Sequence, residues 1–425
     1  MADVVTNCDT PPMKAILEPE RKSSDVRAVA NIVMTAVGLG ILELPVLVHS
    51  VGYVTFSILL TVICLSQLMM THVFYRAMKL TPYNQSYAAV AEAAFGVPGK
   101  VIGIGVVQLS LIGINACLLV LFAGTMNKVA PISGISEDES RMVWVAIGCA
   151  LAQPFMWIKK ISDIGIFSSG GVVAVFSLAA ITIYGGSAQY AKNVAENVDV
   201  SYVSQNWEPY NLGFSLCIIV FSFGSVPIIP SVYREMKNPQ NFTKVLCTAY
   251  AIIFGINAVV AAAGYIGYAK VMSKGGVDSV MALLVPKGEP IDFLGGLASF
   301  VAVVIVLTHI FVLFRPVSDA SQELGEHLMG NSEVVRKLSR SLPSLIIMAI
   351  ALGVKQLDLL VLLVAAVTVM IMCLQLPPIL YMRMLYLRGD SLNKPLTWVL
   401  SAVIVLIGFY AMGVGCHFAV QALSK

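Results

Sequence analysis

The residues able to do chemistry in this chain are few, and they sit inside apolar runs. Glu43 closes the run Ala36-Val37-Gly38-Leu39-Gly40-Ile41-Leu42, directly before Leu44 and Pro45. An ionised carboxylate is costly in such surroundings, so an acid there is neutral, paired or wet. As a neutral acid Glu43 carries a proton; as a residue near the outer end of its helix it meets water instead. His309, beside Thr308, lies near the middle of another apolar run. Imidazole titrates near neutral pH, which suits it to passing a proton. The alternative is a neutral ring bonded to a neighbouring helix. The other histidines are weaker candidates: His49, His72 and His417 fall near the ends of their runs, and His327 lies between runs. Gln108, Ser110 and Asn115 form a further polar set. Gln108 and Asn115 share a helix face that either lines a cavity or bonds to another helix. Arg315 and Asp319 are either a gate pair or an ordinary helix-end pair. Asp163 beside Lys159 and Lys160 reads as structural.

The remaining chemistry belongs to the backbone. The first apolar run is interrupted at Gly38 to Gly40, ahead of Glu43 and Pro45. A later run is interrupted at Phe221-Ser222-Phe223-Gly224-Ser225-Val226-Pro227, with Pro230 following. Unwound backbone is tolerated in a bilayer only where protein or a water-filled cavity satisfies it. Two such segments in corresponding halves point to a transporter's substrate site. A half-helix beginning at a break offers N–H groups and the positive dipole end to a carboxylate. A half-helix ending there offers carbonyls to an ammonium. The pair therefore fits a zwitterion. Thr35, Val37, Gly38, Leu39 and Gly40 are the candidate binding residues at the first break, with the carboxylate at Gly38 to Gly40. Phe221, Ser222, Phe223 and Gly224 are those at the second, with Phe221 and Phe223 as covers. Asn115 and Thr308 are added beside them. The competing reading is that the glycines only let helices pack closely.

These groups need elements to hold them. The chain has 425 residues, 58% hydrophobic and 12% charged, with mean hydropathy +0.84. Soluble proteins carry roughly 25% charged residues. The deficit excludes a soluble enzyme or a nucleic-acid binder. The net charge of +3 says little, because it is shared among loops on two sides of a membrane. No signal peptide is read in the first 28 residues. The eight cysteines have no spacing for a zinc site or a disulfide framework. No nucleophile–base pair or metal-ligand cluster argues for an enzyme, and no cofactor is expected.

A spanning helix needs about 20 mostly apolar residues. The expected spans are Val29–Val48, Val54–Tyr75, Val101–Phe122, Met142–Ile158, Ile166–Tyr184, Leu212–Val232, Val245–Tyr268, Phe293–Phe314, Leu342–Val354, Leu359–Tyr381 and Leu396–Ala419. The ninth is short and begins earlier, near Lys337. It forms a tight hairpin with the tenth across Lys355-Gln356-Leu357-Asp358. Lys and Arg concentrate in the loops on the N-terminal side. They place the N-terminus in the cytoplasm and the C-terminus outside or in a lumen. The sequons at Asn84 and Asn241 then face the cytoplasm and stay unused. Pro82–Lys100 is expected as an amphipathic interface helix, with Tyr83, Tyr87, Ala91 and Phe95 at helical spacing and Gly96 and Pro98 as its stop.

Five spans from each break, with one left over, imply inverted halves: an all-α polytopic membrane protein of about eleven transmembrane helices. The expected organisation is a tail over 1–28, a first repeat over 29–187, an outer loop over 188–210, a second repeat over 211–386, and a last helix with a short outer C-terminus over 387–425.

Asn31 with Gly38-Leu39-Gly40-Ile41-Leu42 and Leu44-Pro45 resembles the first-helix pattern of the amino acid/auxin permease family. Phe221-Ser222-Phe223-Gly224 to Pro230, then Met236-Lys237-Asn238-Pro239-Gln240-Asn241-Phe242, resembles its sixth helix and exit. Tyr87 through Ala94-Phe95-Gly96 and Gly99 resembles its first cytoplasmic loop, and Leu376-Pro377-Pro378 with Tyr381 its tenth helix. The resemblance covers nearly all the chain after residue 27. It implies a LeuT-like 5+5 inverted repeat plus one C-terminal helix, and secondary transport of amino acids. The family's sodium-coupled branch carries Asn where this chain has Met34, so the resemblance implies protons rather than sodium, carried by Glu43 or His309. Glu43 itself departs from the family's small or apolar residue. The expected partners are an amino acid and the bilayer, not nucleic acid, and the protein is expected to be a monomer in the plasma membrane or an acidic organelle. An amino-acid sensor on the same scaffold, and a channel, are the competing functions.

Overall fold

The apolar runs become helices whose ends are set by short polar residues, glycine and proline. A computed structural model describes residues 23–81, 86–157, 164–196, 207–273, 279–285, 291–330, 332–354, 356–389 and 395–423. Cys8, Tyr83, Asn84, Lys159, Lys160, Asp163, Lys355 and the Arg315 side chain lie outside the described residues. In chain order the helices are α1 (Asp25–Ala36), α2 (Leu44–Val51), α3 (Tyr53–Leu80), α4 (Tyr87–Val129), α5 (Glu137–Trp157), α6 (Ile164–Ala195), α7 (Pro209–Phe221) and α8 (Ile229–Glu235). They continue as α9 (Phe242–Ser273), α10 (Val280–Leu284), α11 (Phe293–Met329), α12 (Glu333–Gly353), α13 (Leu357–Val364), α14 (Leu376–Arg388) and α15 (Pro395–Leu423).

Among the described residues, several helix starts are capped by side chains. Ser24, Ser86, Asp292 and Ser332 accept from the N–H three residues on, which satisfies a donor the helix leaves open. Among the described residues, eight helices are long and apolar enough to cross a membrane. The segment α1–α2 falls short because it is broken. Helices α5 and α12 fall short because acids or bases open them: Glu137, Asp138 and Glu139 in one, Glu333, Arg336 and Lys337 in the other. Both start earlier than their apolar residues suggest, α12 at Glu333 rather than near Lys337. Helix α12 ends at Gly353 and α13 begins at Leu357, so the connection between them is short. Gly96 bends α4 rather than ending it, at φ +68° and ψ −152°, a conformation reserved for glycine. Before the bend Tyr87, Val90, Ala91 and Ala94 are buried; Phe95, expected on the same face, is exposed.

Helix α6 packs on α9 and α11, and α11 packs on α4 and α12. Helices α1 and α2 lie against α9, while α7 lies against α15 and α3. Asp319 pairs with Arg340, which also donates to Gln322 and to the Met156 carbonyl. Asp319 thus reaches across to α12, while the Arg315 side chain expected beside it lies outside the described residues. Ser23 makes a parallel bridge with Met236, through Ser23 N–H to Glu235 O (2.8 Å) and Lys237 N–H to Ser23 O (2.9 Å). Asn241 donates to Asp25 at 2.8 Å. The start of α1 is thus tied to the exit of α8.

Candidate functional site

The first break begins where the helical ladder of α1 stops. Val37 still donates to Val33 O at 2.8 Å, but the Gly38 N–H turns to Ala36 O at 3.0 Å. A 3-10 turn over Leu39–Leu42 follows, and Glu43 then starts α2, its carbonyl accepting from Val46 and Leu47. Gly40 lies against Ser222 of the second break: a Cβ on Gly40 would come within 2.8 Å of the Ser222 Cα. The two breaks touch, and only a residue without a side chain permits that approach.

The second break follows Phe221. Phe223 N–H turns to Val220 O (3.2 Å), Gly224 N–H to Phe221 O (3.1 Å), and a 3-10 turn over Val226–Ile228 leads into α8. Its polar groups are met by side chains from α3 and α9. Gln67 donates to Val220 O at 3.3 Å. Asn257 donates to the Ser222 hydroxyl at 3.2 Å, and that hydroxyl donates to Ile219 O at 2.8 Å. The Tyr250 hydroxyl bonds to both Ser225 (3.1 Å) and Thr71 (2.8 Å). These bonds supply what lipid cannot.

A cavity of about 50 Å³ lies where the breaks meet. A water needs about 10–15 Å³ of such space, so the cavity holds a few water-sized groups. Thr35, Gly38 and Leu39 line it from the first break, Phe221 and Gly224 from the second, and His309 from α11. The rest of its wall is apolar: Leu111, Ile114 and Leu118 from α4, with Val369 and Met372 from the segment between α13 and α14. That segment runs as two π-helical turns, Ala365–Val369 and Ile371–Gln375, and the Tyr87 hydroxyl donates to Met372 O at 3.0 Å. Wide turns of this kind free carbonyls and recur at functional sites.

Several expected residues stand away from the cavity. Gly40 and Ser222 are buried against each other, and Val37 is buried away from the cavity lining. Phe223 stacks on Tyr250 instead of covering the cavity. Asn115 donates to Leu111 O in its own helix, and Gln108 is half-buried and donates to Pro316 O. Leu111, Ile114 and Leu118 face the cavity from α4, and Gln108 bonds across to α11, the alternative its position left open. Thr308 bonds to Val304 O and Ile305 O and packs near Gly171 of α6. Glu43 is buried, 2% exposed. The His309 ring sits between two carbonyls, Nδ1 at 2.8 Å from Ile305 O and Nε2 at 3.2 Å from Met34 O. Met34 turns its thioether toward Gly171 and its carbonyl toward that ring. The sequence offered no signal for the apolar wall, since Leu and Val among Leu and Val do not stand out. Gln67, Tyr250 and Asn257 were missed because a single polar residue in a span does not reveal which way it points.

The fold matches that of a Na+-coupled sialic acid symporter in its substrate-bound outward-open state, with a TM-score of 0.56 at 13% identity, over 94% of this chain and 90% of that one. This is the fold of a secondary transporter, in a multi-pass integral membrane protein. The chain belongs to the transmembrane amino acid transporter protein family, whose model matches residues 21–421; it is therefore no enzyme. It is similar to the amino acid transporter AVT1H of Arabidopsis thaliana, 24% identical over 91% of this chain and 87% of that protein. The Arabidopsis amino acid transporter AVT1D is 23% identical over 94% of this chain and 70% of its own length.

Proposed function

We propose that this protein is a secondary active carrier of amino acids working by alternating access, with the substrate bound between the two breaks. The observation that carries this reading is the cavity to which both interrupted helices contribute, Thr35, Gly38 and Leu39 from one and Phe221 and Gly224 from the other. The Gly38 N–H is spent on Ala36 O, so the substrate carboxylate takes the N–H that opens the turn at Leu39, which lines the cavity. The ammonium takes carbonyls of the second break, which have a second lone pair to offer. A proton carried on Glu43 or His309 drives the cycle, by symport or, on an acidic compartment, by exchange. The full architecture is eleven membrane helices. Two inverted sets of five, 29–187 and 211–386, are joined by an outer loop over 188–210 and followed by one more helix in 387–425. The tail over 1–28 is cytoplasmic. The carrier acts as a monomer, in the plasma membrane or that of an acidic organelle.

Gly38→Leu tests the site. A side chain of that size fills the space between the first break and His309, so uptake should be lost while the protein still inserts and purifies as a folded species. Normal uptake by the variant would refute the site.

A further inference from the structure

We infer that the two π-helical turns between α13 and α14 form the specificity wall of the carrier, and that Val369 and Met372 on them restrict the substrate to amino acids with an aliphatic side chain. The inference rests on the transport reading above and names the class of substrate that its cavity takes.

The breaks offer backbone groups to the carboxylate and the ammonium, which every α-amino acid has. What tells one amino acid from another meets the rest of the lining. That part is Leu111, Ile114 and Leu118 from α4, with Val369 and Met372 from the π turns. Among the described residues that line the cavity, none is Asp, Glu, Lys or Arg. Its polar side chains are turned to backbone. The Thr35 hydroxyl donates to Asn31 O at 2.9 Å, and the His309 ring nitrogens lie 2.8 Å and 3.2 Å from two carbonyls. A charged side chain brought here loses its water and meets no opposite charge on the wall. An amide or hydroxyl exchanges water for methyl groups. An alkyl side chain gains by leaving water. At about 50 Å³ the cavity is also small, so an aromatic ring and an alkyl chain are told apart by volume.

The π turns decide which side chains complete this wall. A π turn closes on the fifth residue rather than the fourth, which shifts every later position around the helix axis, and such turns recur at functional sites. Val369 ends the first turn, Ala365–Val369, and Met372 lies in the second, Ile371–Gln375. Both are buried. A methyl of Val369 lies 3.3 Å from where a Cβ on Gly224 would stand, so the glycine of the second break leaves Val369 its place. Met372 is held from behind. Its carbonyl accepts from the Tyr87 hydroxyl at 3.0 Å, and the Tyr87 ring stacks on Phe74 of α3 with centroids 4.8 Å apart. A methionine side chain is flexible and fits itself to what it meets, so a fixed backbone is what makes Met372 a boundary. Tyr87 is therefore a positioning residue for the wall.

The test is counterflow uptake into proteoliposomes of labelled valine, leucine, phenylalanine, lysine and glutamate in turn, by wild type, Val369→Ala, Met372→Ala and Tyr87→Phe. Wild type should carry valine and leucine with kcat/KM at least about tenfold above the other three. Val369→Ala and Met372→Ala open the wall, so the preference for leucine over phenylalanine should fall about tenfold or more, with lysine and glutamate still excluded. Tyr87→Phe keeps the stacked ring and loses only the bond to Met372, so the same ratio should fall; an unchanged ratio would overturn the positioning role. Wild type that prefers phenylalanine, lysine or glutamate overturns the inference, as do alanine variants that keep the wild-type preference. Should those variants fail to fold, Val369→Ile, one methylene larger, decides: it should move the preference from leucine toward valine, and an unmoved preference overturns the inference. Folded wild type that binds these amino acids and carries none contradicts the transport reading instead.

Discussion

At the scale of the residue, the two glycines of the first break do different work. A Cβ at Gly38 would lie 3.6 Å from His309 Nε2, an ordinary contact, whereas one at Gly40 would lie 2.8 Å from the Ser222 Cα and Cβ. The Gly40 clash is with backbone, which cannot rotate away. Gly38→Ala should therefore keep most of the uptake rate, while Gly40→Ala should push the breaks apart and lose most of it, each scored by initial rate at equal protein in the membrane. Equal losses would contradict the contact between the breaks. Both glycines were legible in the sequence because Gly, Glu and Pro stand out within an apolar run. That Gly40 meets Ser222 was not legible, because the contact joins positions 182 residues apart in a chain where nothing local reports it. His309 was legible as a candidate, but its two carbonyl partners were hidden: carbonyls have no sequence signature, and Met34 was informative only as a residue that was not Asn.

At the scale of the element, α9 is a clamp on the second break. Asn257 and Tyr250 lie seven residues apart on one face and hold Ser222 and Ser225 respectively. Removing one partner of a buried hydrogen bond costs roughly 1–3 kcal/mol. Tyr250→Phe and Asn257→Ala should each lower the thermal midpoint of the purified protein. They should also raise the KM for uptake, since they release the backbone that forms the cavity. An unchanged KM with a lowered midpoint would make α9 a scaffold only. Helix positions were read well from the chain, but their starts were not. Helices α5 and α12 begin on charged turns, because capped helix ends reach past the apolar stretch that hydropathy detects. The two π turns beside the cavity were invisible, because Ala365 to Gln375 reads as a plain apolar helix and the widening is imposed by packing.

At the scale of the whole molecule, the chain is an all-helical membrane protein whose fold matches that of a symporter and whose family is that of amino acid transporters. Span count alone was a weaker guide, since α1–α2, α5 and α12 escape any measure of length and hydropathy. The proposed topology has a direct check. Asn241 bonds to Asp25 at the exit of α8, on the side assigned to the cytoplasm, so the protein expressed in a glycosylating cell should show no mobility shift on glycosidase treatment. A shift that Asn241→Gln abolishes would reverse the orientation. The central claim, a carrier that moves an amino acid through the cavity between two broken helices on the energy of a proton gradient, meets its most direct test in proteoliposomes. Labelled amino acids are offered in a mixture under an imposed inward proton gradient, then under an inward sodium gradient. The account predicts accumulation under the proton gradient, indifference to sodium, and loss of both binding and flux in Gly38→Leu. Accumulation driven by sodium alone, or binding with no flux under either gradient, would contradict it.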